Sequence, residues 1–143
     1  MDADAIEAVL SGLQPYPYGW RQELPTLYRF FGQPVAVTIE TRPFPGDGLA
    51  PSPTQAEVNL VRLVLARLSG VLAKAEQEYA SYNAAFPELL GKVHEPRLWV
   101  CREFQARDGP ERWAFISGIS DAPDWTVFLE FRALTFLEVW SGD

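Results

Sequence analysis

Cysteine and histidine each occur once in this chain, at Cys101 and His94, and lysine only at Lys74 and Lys92. A single cysteine excludes an internal disulfide and any multi-cysteine metal site. A single histidine leaves no nitrogen and sulfur set for a transition metal, so no cofactor is expected. No apolar run approaches the roughly 18 residues that a transmembrane helix needs. The first residues carry Asp2, Asp4 and Glu7 ahead of Leu10, not the positive region and long apolar stretch of a secretory signal. A free thiol without a targeting signal implies a cytoplasmic protein.

Catalytic patterns are missing too. Ser117-Gly118-Ile119-Ser120 lacks the Gly-x-Ser-x-Gly spacing of a nucleophile elbow. Gly46 and Gly48 sit in a proline-rich loop that opens no helix, so no phosphate cradle is implied. His94 reads as a solvated loop histidine rather than a general base. Cys101, between Val100 and Arg102, reads as a buried strand cysteine rather than a nucleophile. On an extended chain the two lie roughly 20 Å apart, too far to act as a dyad. Nineteen acidic against twelve basic residues give a net charge of −7, which repels phosphate backbones and favours a basic partner over nucleic acid.

What is present is enough apolar mass for a core. The chain has 143 residues, 48% of them hydrophobic, and includes five Trp, nine Phe and five Tyr. That length fits one domain spanning 1–143. Ile6, Val9, Leu10 and Leu13 recur at helical spacing in a short N-terminal helix, which Gly12 and the Pro15/Pro17 stretch end. Val35, Val37 and Ile39 alternate with Ala36, Thr38 and Glu40 as a half-buried strand. A shorter strand around Leu27 to Phe31 is expected to pair with it across Gly32-Gln33-Pro34.

The strongest periodicity follows the loop over 42–53. Thr54 and Glu57 form a capping box, and Val61, Leu65, Leu68, Leu72, Ala75, Tyr79 and Tyr82 then recur at four- and three-residue steps. The expectation is one long helix over 54–82, interrupted only by Gly70, packed on a sheet. Pro87 to Pro96 reads as a linker. Four strand-like runs come next, at 97–104, 112–119, 125–131 and 134–140, with Asp108-Gly109 as a hairpin turn between the first two. The fold class is therefore α+β: an antiparallel sheet of about six strands, ending in a C-terminal meander, packed against one long central helix and a short N-terminal one.

The C-terminal strands hold the features of interest. Carboxylates are dense there: Asp121, Asp124, Glu130, Glu138 and Asp143, opposed only by Arg132. Exposed carboxylates need no special environment, so they read as a solvated or partner-facing edge rather than as an acid–base pair. Trp125, Val127, Leu129 and Phe131 make one face of their strand, with Phe128 on the other. In the last run Leu134, Phe136 and Trp140 oppose Thr135, Leu137 and Val139, so both faces are apolar. Such a strand is either buried on both sides, here by the N-terminal helix, or part of an interface.

Phe31-Gly32-Gln33 before the alternating strand, Thr54-Gln55 opening the helix, Tyr79 near its end and the Val127-Phe128-Leu129-Glu130-Phe131 to Val139 hairpin carry a resemblance. The chain resembles a loosely defined group of small bacterial proteins of unknown function, some of which are immunity proteins to secreted toxins. The resemblance implies an α+β fold and a toxin partner, and it brings no functional residue with it. The expected function is a cytoplasmic binding protein that occludes a basic toxin domain through an acidic, aromatic-bearing surface. Its expected contacts are Asp121, Asp124, Phe128, Glu130, Glu138 and Trp140. The alternatives are a small enzyme or ligand-binding domain with a pocket between sheet and helix, lined by Glu103, Tyr79 and His94, and a structural subunit of a larger assembly.

Overall fold

A computed structural model describes residues 1–142; Asp143 lies outside the described residues. The elements are α1 (Ala3–Ser11), β1 (Gln14–Tyr16), β2 (Gly19–Glu23), β3 (Arg29–Phe30), β4 (Gln33–Pro34), β5 (Ala36–Glu40), α2 (Gln55–Ala66), α3 (Leu68–Tyr82), a 3-10 helix (Pro87–Lys92), β6 (Val93–Cys101), α4 (Arg102–Asp108), β7 (Arg112–Ile119), β8 (Ala122–Arg132) and β9 (Thr135–Gly142). Seven strands make one sheet in the order β1-β2-β5-β6-β7-β8-β9. All neighbours run antiparallel except β5 and β6. Parallel neighbours need a long crossover. The segment holding α2 and α3 is that crossover, which places both helices over the sheet.

The α+β class and the antiparallel meander stand; the single long helix does not. The chain leaves helical geometry at Arg67, with φ −120° and ψ 26°, and resumes as α3. Neither proline nor glycine marks the break. The two halves have different partners: α2 packs on α1, and α3 on β3, β8 and β9. A sharp break lets one apolar stripe follow both. Phase is kept across it, since Val61, Leu65, Leu68, Leu72, Ala75 and Tyr79 are all buried. Gly70, the expected interruption, lies inside α3.

Other boundaries differ for local reasons. The proline-rich stretch after α1 forms the β1–β2 hairpin, with Tyr16 opposite Gly19. Only glycine fits at 19, because a Cβ there would stand 2.1 Å from the Ile39 carbonyl oxygen. β3 does not pair with β5. It turns back on β4 through Phe31 (φ 46°) and Gly32 (φ 79°), two successive left-handed residues as a tight primed turn requires. Asp108-Gly109 is no hairpin turn: Arg102, Glu103 and Phe104 leave the strand for α4, and Gly109 (φ 117°) ends that helix. The expected linker holds the 3-10 helix and the start of β6.

The core lies between the sheet and α1, α2 and α3. Val37, Leu98, Phe115 and Leu129 form one row across four strands, and Trp113 stacks on Phe131 at 4.5 Å. Phe30 closes one end, with its ring 5.3 Å from Tyr79 and 4.6 Å from Phe115.

Candidate binding face

Side chains alternate across a strand, so the residues between those core positions point to the other face. In register across β6 to β9, this face carries Trp99, Ala114, Glu130 and Glu138 in one row, and Arg97, Ile116, Phe128 and Trp140 in the next. α4 leans over it, where Phe104 meets Trp99 at 5.5 Å. The N-terminal helix does not cover it, because α1 contacts α2 and β2 from the core side. Trp99 then meets Phe128 edge-on at 5.8 Å, and Phe128 stacks on Trp140 at 4.1 Å with their planes 6° apart. An aromatic shelf thus crosses four strands, and its outermost member, Trp140, is 39% exposed.

A bulge decides which residues reach this shelf. The β8–β9 register shifts between Glu130 and Phe131, so that Glu130 faces Glu138 while Phe131 faces Phe136. One extra residue, Leu137, breaks the strict alternation. Phe136 and Val139 therefore pack with the core, while Glu138 and Trp140 share the open face. The expected grouping of Phe136 with Trp140 is overturned by this single insertion.

Of the expected contacts, Phe128, Trp140 and Glu138 come together on this face, the first half-buried and the other two exposed. Asp124 is exposed in β8, and Asp121 is exposed in the β7–β8 turn with the Lys92 ammonium 2.7 Å away. Glu130 departs from expectation: it is 5% exposed, not a solvated edge carboxylate. Its carboxylate accepts hydrogen bonds from Arg112 and from the indole N–H of Trp140. Arg112 also lies over the Phe104 ring at 5.6 Å. Glu130 thus fixes Trp140 from beneath.

The three residues expected to line a pocket between sheet and helix are not brought together. Tyr79 fills that layer and is fully buried. His94 is exposed near the start of β6, and Glu103 is exposed on α4. Cys101 ends β6 at the opposite end from His94, and burial raises its thiol pKa, which suppresses the thiolate a nucleophile requires. No cluster of His, Cys, Asp and Glu among the described residues is placed to hold a metal ion. No helix there is long and apolar enough to cross a membrane.

Trp99 and Arg112 were not singled out from sequence. The alternation of Arg97, Trp99 and Cys101 with Leu98 and Val100 carried the signal for Trp99. Nothing local marks Arg112. No protein-family model, curated protein or solved structure matches the chain.

Proposed function

We propose that the chain is a binding protein that docks a basic protein partner on the uncovered face of its sheet, as an immunity protein occludes a toxin domain in the cytoplasm. The observation that carries this reading is the Phe128–Trp140 stack, 4.1 Å between rings, on the face that α1, α2 and α3 leave open. Aromatic residues held rigidly at the centre of a surface dominate protein interfaces, because they bury large area at little entropic cost. Glu130 holds the Trp140 N–H in place before any partner arrives. The net charge of −7 favours a basic partner and speeds its approach, with Asp124 and Glu138 exposed on β8 and β9.

The test uses the purified product of the adjacent gene and binding kinetics at two salt concentrations. Phe128→Ala and Trp140→Ala are each expected to raise the dissociation rate by about tenfold or more, as loss of an anchor does. Glu138→Lys is expected to slow association and flatten its salt dependence. No complex at micromolar concentration, or a complex indifferent to all three substitutions, overturns the reading.

A further inference from the structure

Toward the β1 edge the same face sinks into a hollow of about 230 Å³, walled by Tyr16, Arg21, Thr38, Glu40, Glu95 and Arg97. That is smaller than the roughly 300–1,000 Å³ sites that enclose drug-sized ligands.

Three independent features converge there. The first is Arg97. Its guanidinium donates from Nη1 to the Glu95 carbonyl oxygen at 2.9 Å and makes no other hydrogen bond among the described residues. No carboxylate among them stands within ion-pair distance of it. A half-buried cation with no carboxylate in direct contact is costly. Burial accordingly lowers its pKa, with the Glu40 charge acting the other way.

The second is the backbone that aims it. The β6–β7 register skips from His94 opposite Gly118 to Arg97 opposite Ile116. Two residues of β6, Glu95 and Pro96, thus stand against Ser117 alone, and Glu95 takes a left-handed φ of 50°. Bulges re-aim side chains beside binding sites, and a non-glycine residue held left-handed stores strain that the surroundings must sustain. Here the kink brings Glu95 and Arg97 into the same hollow.

The third is the charge pattern. The Tyr16 hydroxyl donates to Glu40 Oε2 at 3.0 Å, which orients that carboxylate at the wall. Arg21 has, among the described residues, only a loose partner, Glu23, at 3.9 Å and on the surface. Two guanidiniums and two carboxylates therefore line one small cavity, balanced in sign. A phosphate dianion entering it meets both carboxylates. A zwitterion finds a complement for each end.

We propose that this cleft binds a small zwitterion of the α-amino-acid type, its carboxylate held by Arg97 with Arg21 and its ammonium by Glu40 and Glu95. The planar fork of an arginine matches a carboxylate with two parallel hydrogen bonds, which an ammonium side chain does not do.

Calorimetric titration of the chain alone tests this, so its failure leaves the partner reading untouched. The probes are the free L-amino acids, the same acids without the amine, and inorganic phosphate. At least one amino acid is expected to bind saturably with Kd below about 1 mM. Its des-amino acid is expected to bind about tenfold more weakly, with no measurable binding of phosphate. Arg97→Met is expected to abolish binding while cooperative unfolding persists, and Glu40→Gln to weaken the amino acid without affecting the des-amino acid. Should Arg97→Met not fold, Arg21→Met on β2 serves instead, with an expected loss of about tenfold. Absence of saturable binding by every amino acid, unchanged affinity in the arginine variant, or phosphate binding as tight as that of the amino acid overturns the assignment.

Discussion

Arg102, the first residue of α4, grips Glu57 in the first turn of α2 with two hydrogen bonds, Nη2 to Oε1 at 2.7 Å and Nε to Oε2 at 2.9 Å. The same carboxylate accepts the Thr54 N–H at 2.8 Å and closes the capping box. Burial pushes the Glu57 carboxyl up, but the Arg102 and Thr54 hydrogen bonds prevail and hold it below its ordinary 4.5. A carboxyl depressed in the folded state adds stability that is present above its unfolded pKa and lost as pH falls through the folded one. Stability is therefore expected to decline on acidification below about pH 4.5, in part through this group. Glu57→Gln lacks the charge at every pH. It is expected to be less stable at neutral pH by roughly 1–3 kcal/mol, the cost of a broken, partly solvated pair. Its stability is also expected to fall less on acidification. Urea unfolding of both proteins at neutral and acid pH measures this, and parallel pH profiles would rule it out.

The helical stripe makes two opposed predictions two residues apart. Leu68 is fully buried at the start of α3, so Leu68→Ala is expected to cost roughly 2–5 kcal/mol. Gly70, two positions on, is exposed and helical, and a Cβ there meets nothing within 4 Å. Alanine removes the entropy that glycine loses on entering a helix, so Gly70→Ala is expected to stabilise by about 0.5–1 kcal/mol. Denaturant midpoints of the two variants should move in opposite directions. A destabilised Gly70→Ala would mean that residue 70 is a true hinge.

The stripe was legible because its spacing is a local property of the chain, and every member through Tyr79 is buried. The break at Arg67 was not legible, because it answers to what lies beneath each half of the stripe. The β1–β2 hairpin was hidden for another reason. Pro15 and Pro17 argue against a strand, yet β1 is the edge of the sheet, where a missing N–H goes unnoticed. The bulges at Glu95 and Leu137 follow from pairing between strands, and alternation within either strand carries no trace of them.

Much the same holds for the binding face. The apolar character of both sides of β8 and β9 pointed to Phe128 and Trp140, because aromatics on a strand are visible one at a time. The role of Glu130 depends on Arg112, eighteen positions away in sequence and adjacent only through β7–β8 pairing. The hollow at Arg97 draws its walls from β1, β2, β5 and β6, and is visible only once those four strands are assembled.

Glu130 and Glu138 face each other across β8 and β9, yet they call for opposite behaviour on substitution. Glu130 is buried and answers both Arg112 and Trp140; Glu138 is exposed. Glu130→Ala strands a half-buried guanidinium whose buried Nε already lacks a partner, and it frees the Trp140 indole. Removing one member of a buried pair costs roughly 3–5 kcal/mol, so thermal unfolding is expected to occur well below that of the parent. The milder Glu130→Gln keeps an acceptor for the indole and is expected to fall between the two. Glu138→Lys touches no buried group, and its stability is expected to stay within about 0.5 kcal/mol of the parent. Its consequence belongs instead to encounter with a basic partner, through the association rate. Chemical denaturation of the three variants separates the two roles. Equal stability of Glu130→Ala and the parent would show that Glu130 does not anchor Trp140, and the preorganised shelf on which the docking proposal rests would have to be given up.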